Sequence, residues 1–116
     1  MATRHRNRDV TFDVVDDHLE MTVAFPDQAD RNYIHRCTRN IFETVAHTIE
    51  EQATAGSTLE DLVAALDAPF TQVNVALAFL KERGCVKVRR RRSYPASAAL
   101  YEDAMVEYLV LAEAPR

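Results

Sequence analysis

Glycine and cysteine are both scarce in this chain, and each scarcity excludes a class of site. The 116 residues include only two glycines, too few for a glycine-rich loop that cradles phosphates. The two cysteines, Cys37 and Cys85, lie far apart in sequence, which favours a reducing cytoplasm over a disulfide framework. No secretory signal is visible, and no apolar run approaches the roughly 20 residues of a membrane-spanning helix. The sequence therefore predicts a cytoplasmic protein that has no contact with a membrane.

The side chains that bind metals or perform catalysis do not fall at the usual spacings. His35 and Cys37 are two residues apart in a segment that we predict to be helical, so they should point to different faces. His47 lies three helical turns away. No pair of carboxylates is marked by its spacing as a general acid and base. We therefore expect no metal site, no cofactor and no enzymatic activity, and no small-molecule effector is indicated.

The chain opens with a basic stretch, residues 1–9, that has no apolar periodicity. We predict a flexible arm, which either is a solvated terminus or follows a nucleic-acid groove. Residues 10–116 should form one domain, because a chain of this length with 47% apolar residues can build one core but not two. The net charge is −4, so any attraction to a polyanion has to come from local patches.

The segment from residue 58 to residue 92 has the clearest pattern. Thr58 can cap a short helix, with Asp61 returning the hydrogen bond, and a single apolar stripe follows. Pro69 forces a turn before a second helix, and Gly84 supplies the left-handed stop. Residues 58–83 are thus predicted to form two helices joined by a tight turn, and residues 85–92 a basic strand.

This segment, which ends in Leu-Lys-Glu-Arg-Gly-Cys-Val-Lys-Val, resembles the winged helix-turn-helix domain of small bacterial and archaeal transcription regulators. The resemblance covers about a third of the chain. It implies a recognition helix over residues 70–83 and a wing after Gly84. Domains of this type also serve as protein docking modules, so function has to be argued separately from fold.

The flanking segments complete the predicted fold. Alternating apolar residues over 10–25, broken at Asp16-Asp17-His18, predict a hairpin that either packs on the helices or pairs with the Val86 strand. An apolar stripe that includes Ile34, Thr38 and Ile41 predicts a long helix over residues 28–54, and residues 97–112 form a closing helix. The predicted fold is α+β and mostly α: a winged helix-turn-helix with an added N-terminal hairpin and long first and last helices.

The second helix of the pair offers a surface that can read DNA. Helical projection places Thr71, Asn74, Val75, Ala78 and Lys81 opposite the core, with Gln72 at the edge. Asparagine and glutamine can bond adenine in the major groove, and small apolar side chains can meet a thymine methyl. We predict base contacts from Thr71, Gln72 and Asn74, with Lys81 beside them.

The basic strand offers the phosphate contacts, which dominate the energetics of DNA binding. The predicted contacts come from Lys87, Arg89, Arg90, Arg91 and Arg92. In an extended strand Lys87, Arg89 and Arg91 share one side. Only two residues separate Arg92 from Pro95, so we expect the returning strand of the wing to be very short or absent. The alternative is a solvated run of charge, or a ladder of ion pairs with the acidic surface.

The closing helix is apolar nearly all round, so it should be buried on more than one side. We predict a symmetric homodimer, the commonest oligomer, with an interface formed by Tyr101, Met105, Tyr108, Leu109 and Leu111. The alternative is that the N-terminal hairpin covers this helix within the monomer. Taken together, the sequence predicts a homodimeric transcriptional regulator that binds double-stranded DNA, and the competing interpretation is a winged-helix module that docks a protein.

Overall fold

The computed structural model describes residues 8–115, which form an α+β domain with two small antiparallel sheets. All of the predicted basic arm except its last two residues lies outside the described part. The elements in chain order are β1 (Asp9–Val15), β2 (His18–Ala24), β3 (Tyr33–Thr38), α1 (Arg39–Glu51), α2 (Leu59–Leu66), α3 (Phe70–Glu82), β4 (Val86–Arg89), β5 (Arg92–Pro95) and α4 (Leu100–Ala112).

The N-terminal hairpin forms where the alternating pattern predicts it. β1 pairs antiparallel with β2, and the two-residue turn between them consists of Asp16 and Asp17. Both turn residues have positive φ angles, of 51° and 58°. Aspartate is among the residues that tolerate this left-handed conformation, which a type I′ hairpin turn requires at both central positions.

The predicted helix over residues 28–54 is wrong in its first half. Residues Ala29–Arg31 make one turn of 3-10 helix, and Tyr33–Thr38 form β3, which pairs with the free edge of β2. The helix α1 begins only at Arg39, where the Thr38 hydroxyl caps it by accepting a hydrogen bond from the Ile41 amide at 3.2 Å. Pairing with β2 and burial of one face of β3 override the local helical pattern. Ile34, which the helical stripe included, is exposed.

The three-stranded sheet lies over the helices and shares their core. The Phe79 ring on α3 meets the Phe12 ring of β1 edge-on at 5.3 Å between centroids, and the Phe42 ring of α1 at 5.7 Å. Tyr108 of α4 stacks on Phe42 at 5.2 Å. Of the two partners predicted for the N-terminal hairpin, the helical body is therefore the one that it packs against.

The short helix α2 begins with the predicted capping box. The Thr58 hydroxyl accepts from the Asp61 amide at 3.0 Å, and the Asp61 carboxylate accepts from the Thr58 amide at 3.3 Å. Asp67 follows the helix as its C-cap in the left-handed conformation, and Pro69 is the N-cap residue that precedes α3.

The end of α3 is closed by Gly84, which has a φ angle of 74°. The Cys85 amide donates to the Leu80 carbonyl at 2.8 Å and the Gly84 amide to the Lys81 carbonyl at 3.1 Å. This pair of bonds defines a Schellman motif, which satisfies the last carbonyls of the helix.

The second sheet is a hairpin of β4 and β5, each four residues long. The predicted strand over 85–92 therefore ends at Arg89, and a returning strand is present. Val86 pairs with Pro95, whose missing amide is tolerated at a strand end. Ser57, which precedes α2, adds one antiparallel bridge to Ser93, with amide–carbonyl distances of 3.0 and 2.8 Å. β5 thus lies between β4 and the Ser57 bridge.

Helix α4 starts at Leu100, three residues later than predicted, and closes the domain. Ser97 lies before the helix, where its hydroxyl accepts from the Ala99 amide and donates to the Asp103 carboxylate. The Tyr108 hydroxyl donates to Asp17 at 3.0 Å and so ties α4 to the turn of the N-terminal hairpin.

Candidate nucleic-acid interface

Part of the predicted outward face of α3 is accessible to a partner. Thr71 and Lys81 are exposed, and Asn74 and Ala78 are half-buried. These four residues, which we call the α3 strip, lie where helical projection predicts an outward face. Amide, hydroxyl and ammonium groups of this kind can bond base edges.

Two residues predicted for the same face serve the fold instead. Val75 is fully buried, because β3 packs along α3 and covers that side of the helix. Gln72 reaches across the same boundary, where its amide oxygen accepts from the Thr38 amide at 3.0 Å. The prediction that Gln72 contacts bases is therefore contradicted for this oxygen. The projection assumed one covered side of α3, whereas the third strand covers a second.

The tip of the β4–β5 hairpin is a two-residue turn made entirely of arginine. Arg90 and Arg91 have φ angles of 52° and 67°, and they lie between the paired residues Arg89 and Arg92. Positive φ at both central positions defines a type I′ turn, which favours Asn-Gly, Asp-Gly or Gly-Gly. For an L-residue other than glycine this conformation costs roughly 1 to 2 kcal/mol. The tip therefore holds two long cationic side chains in a backbone conformation that other residues adopt more easily.

The four arginines of the run, Arg89 to Arg92, are all exposed, and the partners of the two at the turn are weak or absent. Arg91 lies 3.6 Å from the Glu60 carboxylate, and 85% of its side chain is accessible. Exposed pairs of this kind contribute little to stability. Arg90 has no hydrogen bond or ion pair within residues 8–115. The turn also ends the strand alternation, so the predicted row of Lys87, Arg89 and Arg91 is reduced to Lys87 and Arg89.

The other two arginines of the run are held by neighbouring groups. Arg89 places its guanidinium carbon 4.8 Å above the Tyr94 ring. Arg92 lies 3.5 Å from the Asp61 carboxylate. The pKa of Asp61 is lowered chiefly by its hydrogen bonds to Thr58 and only secondarily by Arg92. Asp61 thus acts mainly as the helix cap, and the run is only partly an ion-pair ladder.

Positive charge is concentrated around this hairpin. Seven of the fourteen lysines and arginines lie between residues 81 and 92, where Glu82 is the only acidic residue. Helix α4, by contrast, contains three acidic residues and no lysine or arginine. In a molecule of net charge −4, the seven cations of this segment outnumber the four carboxylates that pair with them, Glu60, Asp61, Glu82 and Glu107, and a local excess of positive charge can attract phosphate groups.

Three residues of the α3 strip, Asn74, Ala78 and Lys81, line an open groove of about 310 Å³ together with Leu77, and we call it the α3 groove. One wall comes from the N-terminal sheet, at Val10 and Tyr33, and the opposite wall from the β4–β5 hairpin, at Val88 and Arg91. The groove therefore places the polar side chains Asn74 and Lys81 of α3 on the same side of the molecule as Arg91 of the arginine tip.

The predicted dimer interface on α4 is partly wrong. Tyr108 is fully buried and Met105 is nearly so, and both belong to the core of the chain itself. Tyr101 and Leu111 are half-buried, and Leu109 is 40% exposed. Sequence reasoning omitted the two most exposed apolar residues of the helix, Val106 at 57% and Val110 at 60%. With Leu109 they form one patch at helical spacing, which we call the α4 patch.

The remaining polar and sulfur groups do not assemble into a site. His35 and Cys37 share one face of β3, not different faces of a helix, yet no three metal-binding side chains converge within the described residues. Cys37 and Cys85 are both free and buried, and burial raises the pKa of Cys37 to about 12. None of the helices within residues 8–115 combines the length and the apolar character needed to cross a membrane.

Comparison with known proteins assigns the chain to no family. No family model, no curated protein and no solved structure matches it. Functional interpretation therefore depends on the geometry of this one chain.

Proposed function

We propose that this chain is a sequence-specific DNA-binding protein of the winged-helix type that acts as a homodimeric transcriptional regulator. The order of elements supports the winged-helix interpretation. α1, the Ser57 bridge, α2, α3 and the β4–β5 hairpin follow in the sequence typical of that fold, with β5 between β4 and the bridge. The N-terminal sheet and α4 are additions to this core.

The observation that carries the proposal is the arginine turn. Arg90 and Arg91 occupy the two left-handed positions of a type I′ turn at the exposed tip of the hairpin. Backbone strain of this kind persists where the strained residues have a role. Guanidinium groups bind phosphate through paired hydrogen bonds. The turn therefore favours contact with the sugar-phosphate backbone, supported by Lys87, Arg89 and Arg92.

The base contacts in this proposal come from the α3 strip. Asn74 is its best-suited reader, because an asparagine amide can bond adenine through two hydrogen bonds. Thr71 and Lys81 are exposed on either side of it along the helix. Gln72 is left out, since its oxygen already bonds the Thr38 amide.

The homodimer in this proposal forms through the α4 patch. Val106, Leu109 and Val110 are exposed at spacings of three and four residues, which places them on one side of α4. Burying them against the same residues of a second copy removes apolar surface from water. Sedimentation velocity at tens of micromolar tests this step. The wild type should sediment as a dimer and Val110→Asp as a monomer, whereas a monomeric wild type refutes the dimer.

The proposed DNA binding is tested by selecting bound duplexes from a random pool and measuring their affinity by fluorescence anisotropy over a range of salt. Replacing Arg89 to Arg92 with alanine should weaken binding and flatten the dependence of affinity on salt, because fewer counterions are released. Asn74→Ala should instead reduce discrimination among sequences and leave the salt dependence unchanged. A control that removes two exposed cations elsewhere, Arg31→Gln with Arg36→Gln, should change neither the salt dependence of the affinity nor the discrimination among sequences.

A protein docking module is the alternative, and it is favoured by the burial of Val75 under β3, which narrows the reading face. The same selection and anisotropy experiment distinguishes DNA binding from protein docking. If the wild type has no affinity for any duplex at about 50 mM salt, where phosphate contacts are strong, the DNA-binding proposal fails and the docking function gains.

A further inference from the structure

The lining of the α3 groove combines an apolar surface with cationic side chains. Leu77 and Ala78 of α3 lie on its floor, and Val10 and Val88 face it from the two walls. Arg8, Lys81 and Arg91 also line it, and none of its lining residues carries a carboxylate. The lining of the groove is apolar and polar in about equal parts, and about 310 Å³ is at the lower end of the usual volume of a small-molecule site.

The cations of the groove are available to a ligand. Within residues 8–115, the Lys81 side chain makes no ion pair or hydrogen bond. Arg91 is held only by its exposed contact with Glu60 at 3.6 Å, which water screens and a better acceptor can replace. A carboxylate in the groove can therefore gain charge-assisted hydrogen bonds without breaking a buried pair.

We propose that the α3 groove binds a small amphipathic anion, an alkyl or aryl body that ends in one carboxylate. The body lies on Leu77, Ala78 and Val88, and the carboxylate meets Lys81 and Arg91. Such a ligand covers Asn74 and Ala78 of the α3 strip. Binding in the groove and contact of the strip with a second macromolecule are then mutually exclusive, which gives the protein a means of responding to a small acid.

Octanoate is a suitable probe, and the test is a titration of the whole chain followed by two-dimensional amide NMR. A ligand of this size should bind with one site and a Kd on the order of a few millimolar. Shifts should concentrate on Asn74, Leu77, Ala78 and Val88. Octan-1-ol, which has the same chain and no charge, should bind about tenfold more weakly, since a hydrogen bond to a charged group is lost.

Two variants of equal charge change separate a specific site from general attraction. Lys81→Met should weaken octanoate about tenfold and leave octan-1-ol unchanged. Arg36→Met removes the same charge from the outer face of the N-terminal sheet, where Arg36 pairs with Glu20, and should leave both ligands unchanged.

Three results overturn the proposal. They are the absence of saturable shifts up to about 20 mM octanoate, equal affinity for octanoate and octan-1-ol, and shifts centred on the α4 patch instead of the groove. The titration contains no DNA, so its outcome is independent of the proposed DNA binding.

Discussion

Replacing the arginine turn with Asn-Gly should make the protein more stable and, under the proposed function, should weaken its binding to DNA. Arg90→Asn with Arg91→Gly installs the residues that a type I′ turn favours, at positions whose φ angles are 52° and 67°. The change leaves the paired positions Arg89 and Arg92 in place. This double variant therefore tests two separate claims, that the turn is strained and that its side chains bind phosphate.

The gain in stability follows from the backbone. Glycine at position 91 removes a steric cost of about 1 to 2 kcal/mol, and its greater freedom in the unfolded chain returns about 0.5 to 1 kcal/mol of that. Asparagine at position 90 tolerates the left-handed region better than arginine does. The lost contact between Arg91 and Glu60 is exposed and contributes little. The net expectation is about 1 kcal/mol of added stability, or a rise in Tm of about 4 °C.

The expected loss of affinity for DNA follows from the phosphate contacts that the two arginines would make. Each neutralised phosphate adds about 0.9 to the slope of log affinity against log salt. If Arg90 and Arg91 each contact one phosphate, the double variant should lower this slope by about 2. Thermal unfolding followed by circular dichroism measures the first effect, and anisotropy titrations between about 50 and 200 mM salt measure the second.

The control for this experiment is Arg31→Gln with Arg36→Gln, which produces the same change in net charge away from the hairpin. This control should change the slope of log affinity against log salt by less than about 0.9, the value expected for one phosphate contact. A turn variant that melts below the wild type refutes the claim of strain. An unchanged slope refutes the phosphate contacts, and equal slopes for the variant and the control refute their location at the tip.

Three further predictions concern the stability of the fold. Burial raises the pKa of Cys37 from 9.0 to about 12. The neutral thiol therefore stabilises the fold fully below pH 9, and this stability is lost as the pH rises towards 12, at up to about 1.4 kcal/mol per pH unit. Tm measured from pH 8.5 to 10 should fall more steeply for the wild type than for Cys37→Ala. Thr58→Ala removes the capping box and should cost about 1 kcal/mol in urea denaturation. Gly84→Ala should cost about 1 kcal/mol of stability through its φ angle of 74° alone. Gly56→Ala places a Cβ 2.7 Å from the Tyr94 ring and should cost about 1 to 3 kcal/mol more. Equal losses of stability in the two variants would refute the contact with Tyr94.

The elements that the sequence predicts well are those defined by local contacts. Thr58 and Asp61 bond each other three residues apart, and Gly84 closes α3 through amides next to it in the chain. The turn at Asp16 and Asp17 is likewise decided by the residues that form it. In each case the sequence contains both partners of the deciding interaction within a few positions.

The elements that it does not predict depend on distant partners. Residues 33–38 fit both a helical stripe and a strand, and the choice is made by β2, which places Leu19 beside Cys37. The β4–β5 turn escapes prediction because Arg90 and Arg91 are not turn residues by preference. Helix α4 is apolar nearly all round, so periodicity alone cannot separate buried Tyr108 from exposed Val110.

The position of β3 limits how the proposed DNA complex can form. A B-DNA major groove is about 12 Å wide, and an α-helix with its side chains is about 10 to 12 Å across. A helix that has a strand packed along one side therefore cannot enter the groove over the full length of the helix. Only side chains of the α3 strip can then reach base edges, and Asn74 and Lys81 are the two that are able to form paired bonds to a base. One such pair discriminates by about 1 to 3 kcal/mol. Under the proposed function, affinity therefore comes mainly from the arginine tip and selectivity is modest, and a site preference of many base pairs would require the second subunit.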